Sequence, residues 1–123
     1  MITLSHSANT LFAAQGVLVE NEDEVAAYLA AHHKLEPFAN RLIERVGREI
    51  ADPKEIEVEI YHDPEINNPY LNIIVRQPAY TAHLMPTLDR IWEETQRQMT
   101  PDLTEGTANL TTDFVAPKQF AAA

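Results

Sequence analysis

From Glu55 to Tyr61 apolar and polar side chains alternate without a break: Ile56, Val58 and Ile60 fall on one side, and Glu55, Glu57, Glu59 and Tyr61 on the other. A period of two is that of a strand with one buried face. Tyr70 to Gln77 repeats it, with Leu71, Ile73 and Val75 on one side and Tyr70, Asn72, Ile74 and Arg76 on the other. Residues 62–69, His-Asp-Pro-Glu-Ile-Asn-Asn-Pro, are dense in turn formers. The pattern predicts an antiparallel hairpin closed by that loop.

Elsewhere the period is helical. Asn21-Glu22-Asp23-Glu24 reads as a helix start: Asn21 can accept a backbone N–H, Glu24 completes a capping box, and the acids sit at the positive end of the helix dipole. Val25, Tyr28, Leu29 and His32 then share a face. Pro37 lacks an N–H and crowds the preceding turn, so the helix is expected to kink or restart there. Phe38, Leu42, Val46 and Ile50 form the next stripe, ended by Asp52-Pro53. Leu84, Leu88, Ile91, Trp92, Thr95 and Met99 form the last, with Thr81 as its cap and its regular part beginning near Met85 because of Pro86. Thr100-Pro101 stops it.

Residues 1–20 are the least patterned. Ser7 can cap a short helix through Leu11, Phe12 and Ala13 with Gly16 as its stop, and Gly16-Val17-Leu18-Val19 equally suits a short strand; the helix is the preferred reading. Asn109 to Val115 reads as a third strand, and residues 116–123 as a frayed tail. The order is helix, kink, helix, strand, strand, helix, strand, within one domain over residues 1–123. A helical crossover makes the second and third strands parallel. The expected fold is α+β: a three-stranded sheet of order 2-1-3, with helices on one face and the glutamate-bearing face left open.

The run from Val58 to Gln77 holds Asp63-Pro64-Glu65, Tyr70-Leu71 and Val75-Arg76-Gln77, and is followed by Tyr80 and Leu110-Thr111-Thr112-Asp113-Phe114. It resembles small bacterial proteins of unassigned function in which a strand, an Asp-Pro-Glu turn, a Tyr-Leu strand ending in Val-Arg-Gln and a Thr-Thr-Asp-Phe strand recur. The resemblance covers about the second half of the chain. It implies a bacterial cytoplasmic α+β protein and carries no activity to transfer. Pro86 departs from the regular helix such proteins would have, and residues 1–20 lie outside the resemblance.

Composition narrows the chemistry. There is no cysteine, which removes disulfides, thiol catalysis and cysteine-held metal. Hydrophobic residues make up 45% of the 123, enough for a packed core. The first twenty residues have no early Lys or Arg and no long apolar run, so no secretory signal is expected. No stretch approaches the ~20 apolar residues of a membrane-spanning helix. Nine basic against nineteen acidic residues give a net charge of −10, which repels a phosphate backbone and attracts a basic partner. Arg41, Arg45 and Arg48 recur at helical spacing, but Glu44 and Glu49 beside them suggest an ion-paired surface rather than a nucleic-acid site. With three glycines and none framing a Ser or Thr, neither a phosphate-cradling loop nor a nucleophile elbow is available.

The candidate binding residues are Tyr61, His62, Asp63, Tyr70, Asn72 and Arg76. Arg and Tyr favour recognition surfaces, and loops such as that at His62-Asp63 often carry sites. The plainer reading of Arg76 is an ion pair to Glu57 or Glu59; Asp113 can join either network. The plainer reading of His32 is a satisfied core or interface histidine, and that of Trp92 is core. Neighbours in a helix point about 100° apart, so His32 and His33 do not share a metal easily. No catalytic residue, metal or cofactor is expected. Two functional readings stay open. One is a non-enzymatic binding protein, antitoxin-like or an adaptor, paired with a protein partner or with itself. The other is a small enzyme or ligand binder using His62, Asp63, Arg76 and His83.

Overall fold

The computed structural model describes residues 16–51, 53–63, 65–78, 82–99 and 108–112. Strand β1 (Leu18–Val19) is followed by helices α1 (Glu22–Ala31) and α2 (Leu35–Glu49), the hairpin β2 (Glu55–Asp63) and β3 (Ile66–Arg76), helix α3 (Leu84–Met99) and strand β4 (Ala108–Thr111). The fold is α+β, with three helices and one sheet.

The sheet corrects the expected one. It has four strands in the order β1-β2-β3-β4, not three in the order 2-1-3. β1 pairs parallel with β2, β2 antiparallel with β3, and β3 parallel with β4. The last strand is parallel to β3, as the helical crossover requires, but lies directly beside it. The flank of β2 assigned to it is taken by Leu18 and Val19, which pair with Glu57 and Val58. Leu18-Val19 therefore forms the short strand that was the alternative reading of Gly16-Val17-Leu18-Val19. Gly16 precedes it at φ 77, a left-handed conformation that glycine adopts without strain. Each half is thus a strand, a helical crossover (two helices in the first half, one in the second) and a parallel strand, and the hairpin joins the halves.

The hairpin is also longer than expected. Residues 62–69 do not form a wide loop: β2 runs to Asp63 and β3 starts at Ile66. The register shifts between Tyr61 and Asp63, leaving His62 opposite residues 67–69. Pro69 has no N–H to give a ladder and falls within this irregular stretch.

Both helix-start prolines occupy the third position of their helices. α1 ends at Ala31 and α2 restarts at Leu35, with Pro37 in its first turn; Pro86 sits likewise in α3. The first N–H groups of a helix have no intrahelical acceptor, so a missing donor there costs little. α3 starts one residue earlier than Met85, and Thr87 donates backbone and hydroxyl hydrogens to the His83 carbonyl. The proposed cap Thr81, the Ser7 helix, Asp113 and the 116–123 tail lie outside the described residues. At α1, Asn21 accepts from the Glu24 N–H at 3.3 Å, as read from the sequence, and does so at φ 54.

All three helices feed one core. Val25 and Leu29 of α1, Phe38, Leu42 and Val46 of α2, and Leu88 and Ile91 of α3 gather against Ile56, Val58, Leu71, Ile73 and Val75. Burying one such side chain stabilises by about 1.5–3 kcal/mol, more than a typical surface ion pair contributes. Trp92 is half-buried at the margin, edge-on to Phe38 with centroids 5.2 Å apart. Met99, expected on the core stripe, is exposed at the end of α3. His32 is half-buried and packs on Tyr28, and among the described residues its buried Nδ1 has no hydrogen-bond partner.

Candidate functional site

The sheet side pointing away from this core carries the residues singled out in the sequence. Antiparallel register sets Glu55 opposite Arg76, Glu57 opposite Ile74, Glu59 opposite Asn72 and Tyr61 opposite Tyr70. Parallel pairing adds Leu18 beside Glu57, Asn109 beside Asn72 and Thr111 beside Ile74. Directly opposed strand residues project to the same side, so one face collects side chains from all four strands.

That face has two chemically different ends. At the base of the hairpin, Arg76 donates from one guanidinium nitrogen to Glu55 at 2.9 Å and to Glu57 at 2.6 Å. The three residues are nearly inaccessible, at 6%, 1% and 3% exposure. This corrects the expected bare, wet surface: Glu57 is flanked by Leu18 and Ile74, and Arg76 spans both carboxylates. Arg76 is thus held in the ion pair that was its plainer reading, with Glu55 and Glu57 as partners; Glu59 bonds elsewhere. Along the middle, Asn109 donates to the Asn72 side-chain oxygen at 3.2 Å and Asn72 donates to Glu59 at 3.1 Å, a chain across three strands.

The turn end is the accessible part. Tyr61 is 39% exposed and its ring lies 5.3 Å from that of the half-buried Tyr70. Asn109 is exposed and Glu59 half-buried beside them. His62 points the other way and contacts the Glu24 carboxylate on α1, tying the hairpin to that helix, while the Tyr28 hydroxyl donates to the Pro69 carbonyl at 3.3 Å. Asp63 closes β2 and pairs with Ile66.

Two residues of the enzymatic reading, His62 and Arg76, stand at opposite ends of the hairpin. Glu55 pairs with Arg76 and His62 stands seven residues further along β2, so His62 and Arg76 lie about 24 Å apart at ~3.4 Å per residue. They also serve opposite faces. A general base must come within hydrogen-bonding reach of its proton, which this spacing denies to the pair His62 and Arg76. His83 is exposed at the start of α3. Among the described residues, no group of three or more His, Asp or Glu side chains is placed to hold a metal, and no helix is long and apolar enough to cross a membrane.

The arginine stripe is ion-paired. Arg41 and Arg48 reach Glu44. Arg45, only 8% exposed, pairs with Glu49 on its own helix at 2.7 Å and bridges α2 to α3 through Glu94 at 2.7 Å and Thr95 at 3.4 Å. Hydrogen bonds to Glu49 and Glu94 raise the Arg45 pKa, and the bond from Arg45 holds the Glu49 carboxyl below its ordinary range. On the same helix, burial pushes the Glu36 carboxyl up. This cluster fastens two helices.

Sequence reasoning missed Asn109 as part of the face. Its signal was present in the alternation of Ala108, Asn109, Leu110 and Thr111, but only the placement of β4 beside β3 brings Asn109 to Asn72. No family model, no curated protein and no solved structure matches the chain.

Proposed function

We propose that this chain is a non-enzymatic interaction protein that engages a protein partner through the turn end of the sheet face opposite the helices. An antitoxin-like protein or an adaptor is the concrete form this takes, and a second copy of the chain is the alternative occupant. The observation that carries the reading is the exposed ring of Tyr61, packed on the half-buried Tyr70 and set on a sheet whose neighbouring residues are locked by cross-strand bonds. Tyrosines bring large, stiff contact area at low entropic cost and are enriched among residues that dominate binding energy. A rigid support lets them dock without prior ordering. Of the residues singled out in the sequence, Tyr61 and Tyr70 would make the contact, Asn72 and Arg76 would brace the face from within, and His62 would fix the hairpin on α1.

Site-specific photo-crosslinking tests this. A benzoylphenylalanine introduced at Tyr61 in the native host is expected to give one discrete adduct, competed away by unlabelled protein. The same group at Met85, exposed at the start of α3 beyond the base of the hairpin, is expected to give none. An adduct of twice the chain mass identifies a homodimer. Absence of any adduct from position 61, with the protein folded, overturns the proposal.

A further inference from the structure

A strand covered by helices on one side only should alternate between buried and open positions. β3 does not: all six residues from Leu71 to Arg76 are buried, as are all four from Glu55 to Val58 in β2. Ile56, Val58, Leu71, Ile73 and Val75 belong to the core beneath the helices. Ile74 is only 5% exposed yet stands outside that core, on the outward side with Asn72 at 7% and with Glu55, Glu57 and Arg76. Side chains lying flat on a sheet shield one another, but the outermost atoms of such a layer still meet water. Five adjoining residues buried together therefore need a roof, and α1, α2 and α3 all pack on the other side. We infer that residues 1–15 of the same chain supply it, crossing the base of the outward face with Leu11 and Phe12 against Ile74. This built-in occupant confines the open part of the face to the turn end.

Position, reach and chemistry favour this segment. β1 runs parallel to β2 with Leu18 beside Glu57, so Gly16 is level with Glu55. Residue 15 is therefore attached at the base, beside Glu55 and Glu57, the least exposed residues of the face. Gly16 takes φ 77, which turns the chain out of the line of the strand there. Crossing from β1 to β3 takes about 10 Å, and residues 1–15 span about 22 Å even if fully helical. The run from Met1 to Gln15 has no Asp, Glu, Lys or Arg; Leu11 and Phe12 are its large apolar side chains nearest Gly16, and Ser, Thr, Asn and Gln supply donors. It can cover Ile74 with apolar surface and donate to carboxylates without desolvating a further charge. Residues 113–123 also start near the base, after β4, but carry Asp113 and Lys118. The β4 side of the face is also the more open, with Asn109 exposed and Thr111 half-buried. The burial is complete within a single chain, so no second copy is required.

Methyl NOE spectroscopy on the full chain tests the inference, with isoleucine δ1 methyls ¹³C-labelled and Ile74 assigned through Ile74→Val. The Ile74 methyl is expected to show cross-peaks to side-chain protons of Leu11 or Phe12. Replacing both, Leu11→Ser with Phe12→Ser, is expected to remove those cross-peaks and shift the Ile74 methyl, while the Ile73 methyl on the core side keeps its position. Absence of any cross-peak to Leu11 or Phe12 overturns the inference, whether Ile74 meets residues 113–123 or water instead. An Ile74 methyl that the double substitution leaves unchanged overturns it as well. If the double variant fails to fold, the spectrum of the unsubstituted chain decides alone. In an equal mixture of labelled and unlabelled chains, cross-peaks that pass between copies overturn the placement within one chain.

Discussion

Replacing Arg76 with methionine separates a structural brace from a contact residue. Arg76 is 6% exposed, between Glu55 at 1% and Glu57 at 3%, and it donates to them at 2.9 and 2.6 Å. Methionine retains much of the side chain's length and removes the charge. Two buried carboxylates then remain, two residues apart on the same side of one strand. Removing one partner of a buried ion pair costs about 3–5 kcal/mol, because the other charge stays desolvated. Total stability for a domain is on the order of 5–15 kcal/mol, so Arg76→Met should consume a large share of it. In equilibrium urea denaturation followed by circular dichroism, with m near ~2 kcal/mol/M, the midpoint should fall by about 1.5–2.5 M at unchanged m. Adding Glu55→Gln and Glu57→Gln to Arg76→Met removes the two buried negative charges and should restore much of the loss. A midpoint shift below about 0.3 M, or no restoration, would refute the argument that Arg76 acts by neutralising these two carboxylates.

Three further outcomes follow from the same physics. Arg45→Met should cost about 1–2 kcal/mol at pH 7, less than Arg76→Met because Glu94 is 38% exposed and its charge is screened. The Glu49 pKa is depressed in the fold, so its contribution is complete above the unfolded carboxylate pKa and is lost as pH falls through the folded value; denaturation midpoints of wild type and Arg45→Met should therefore converge below about pH 4. Glu36 is the opposite case: its raised pKa means that the charged form penalises folding as pH rises through the folded value, so Glu36→Gln should raise the midpoint at pH 7 more than at pH 3. Asn21→Ala loses the bond to the Glu24 N–H and places alanine at φ 54; thermal melting should show a loss of about 1 kcal/mol, whereas Asn21→Gly, free to take that φ, should lose only a few tenths.

The residues by themselves determined what has a short period. Strict alternation from Glu55 to Tyr61 and again from Tyr70 assigned the hairpin and the two faces of its strands, because neighbouring side chains on a pleated strand must point opposite ways. The stripes of α2 and α3 assigned which sides of those helices are buried, and Asn21 announced the start of α1. The tyrosine pair was legible for the same reason: parity puts Tyr61 and Tyr70 on one face. Tertiary structure alone decided which strand flanks which. Two residues, Leu18 and Val19, are too few to show a period, yet by taking the free edge of β2 they move β4 to the far side of β3. It also decided that Glu55 and Glu57, polar and alternating, are buried, since parity tells which side a residue faces and not how deeply that side is enclosed. The separation of His62 from Arg76 belongs to the same class: both sit near strand ends in the sequence, but an antiparallel pair puts those ends at opposite poles of the sheet.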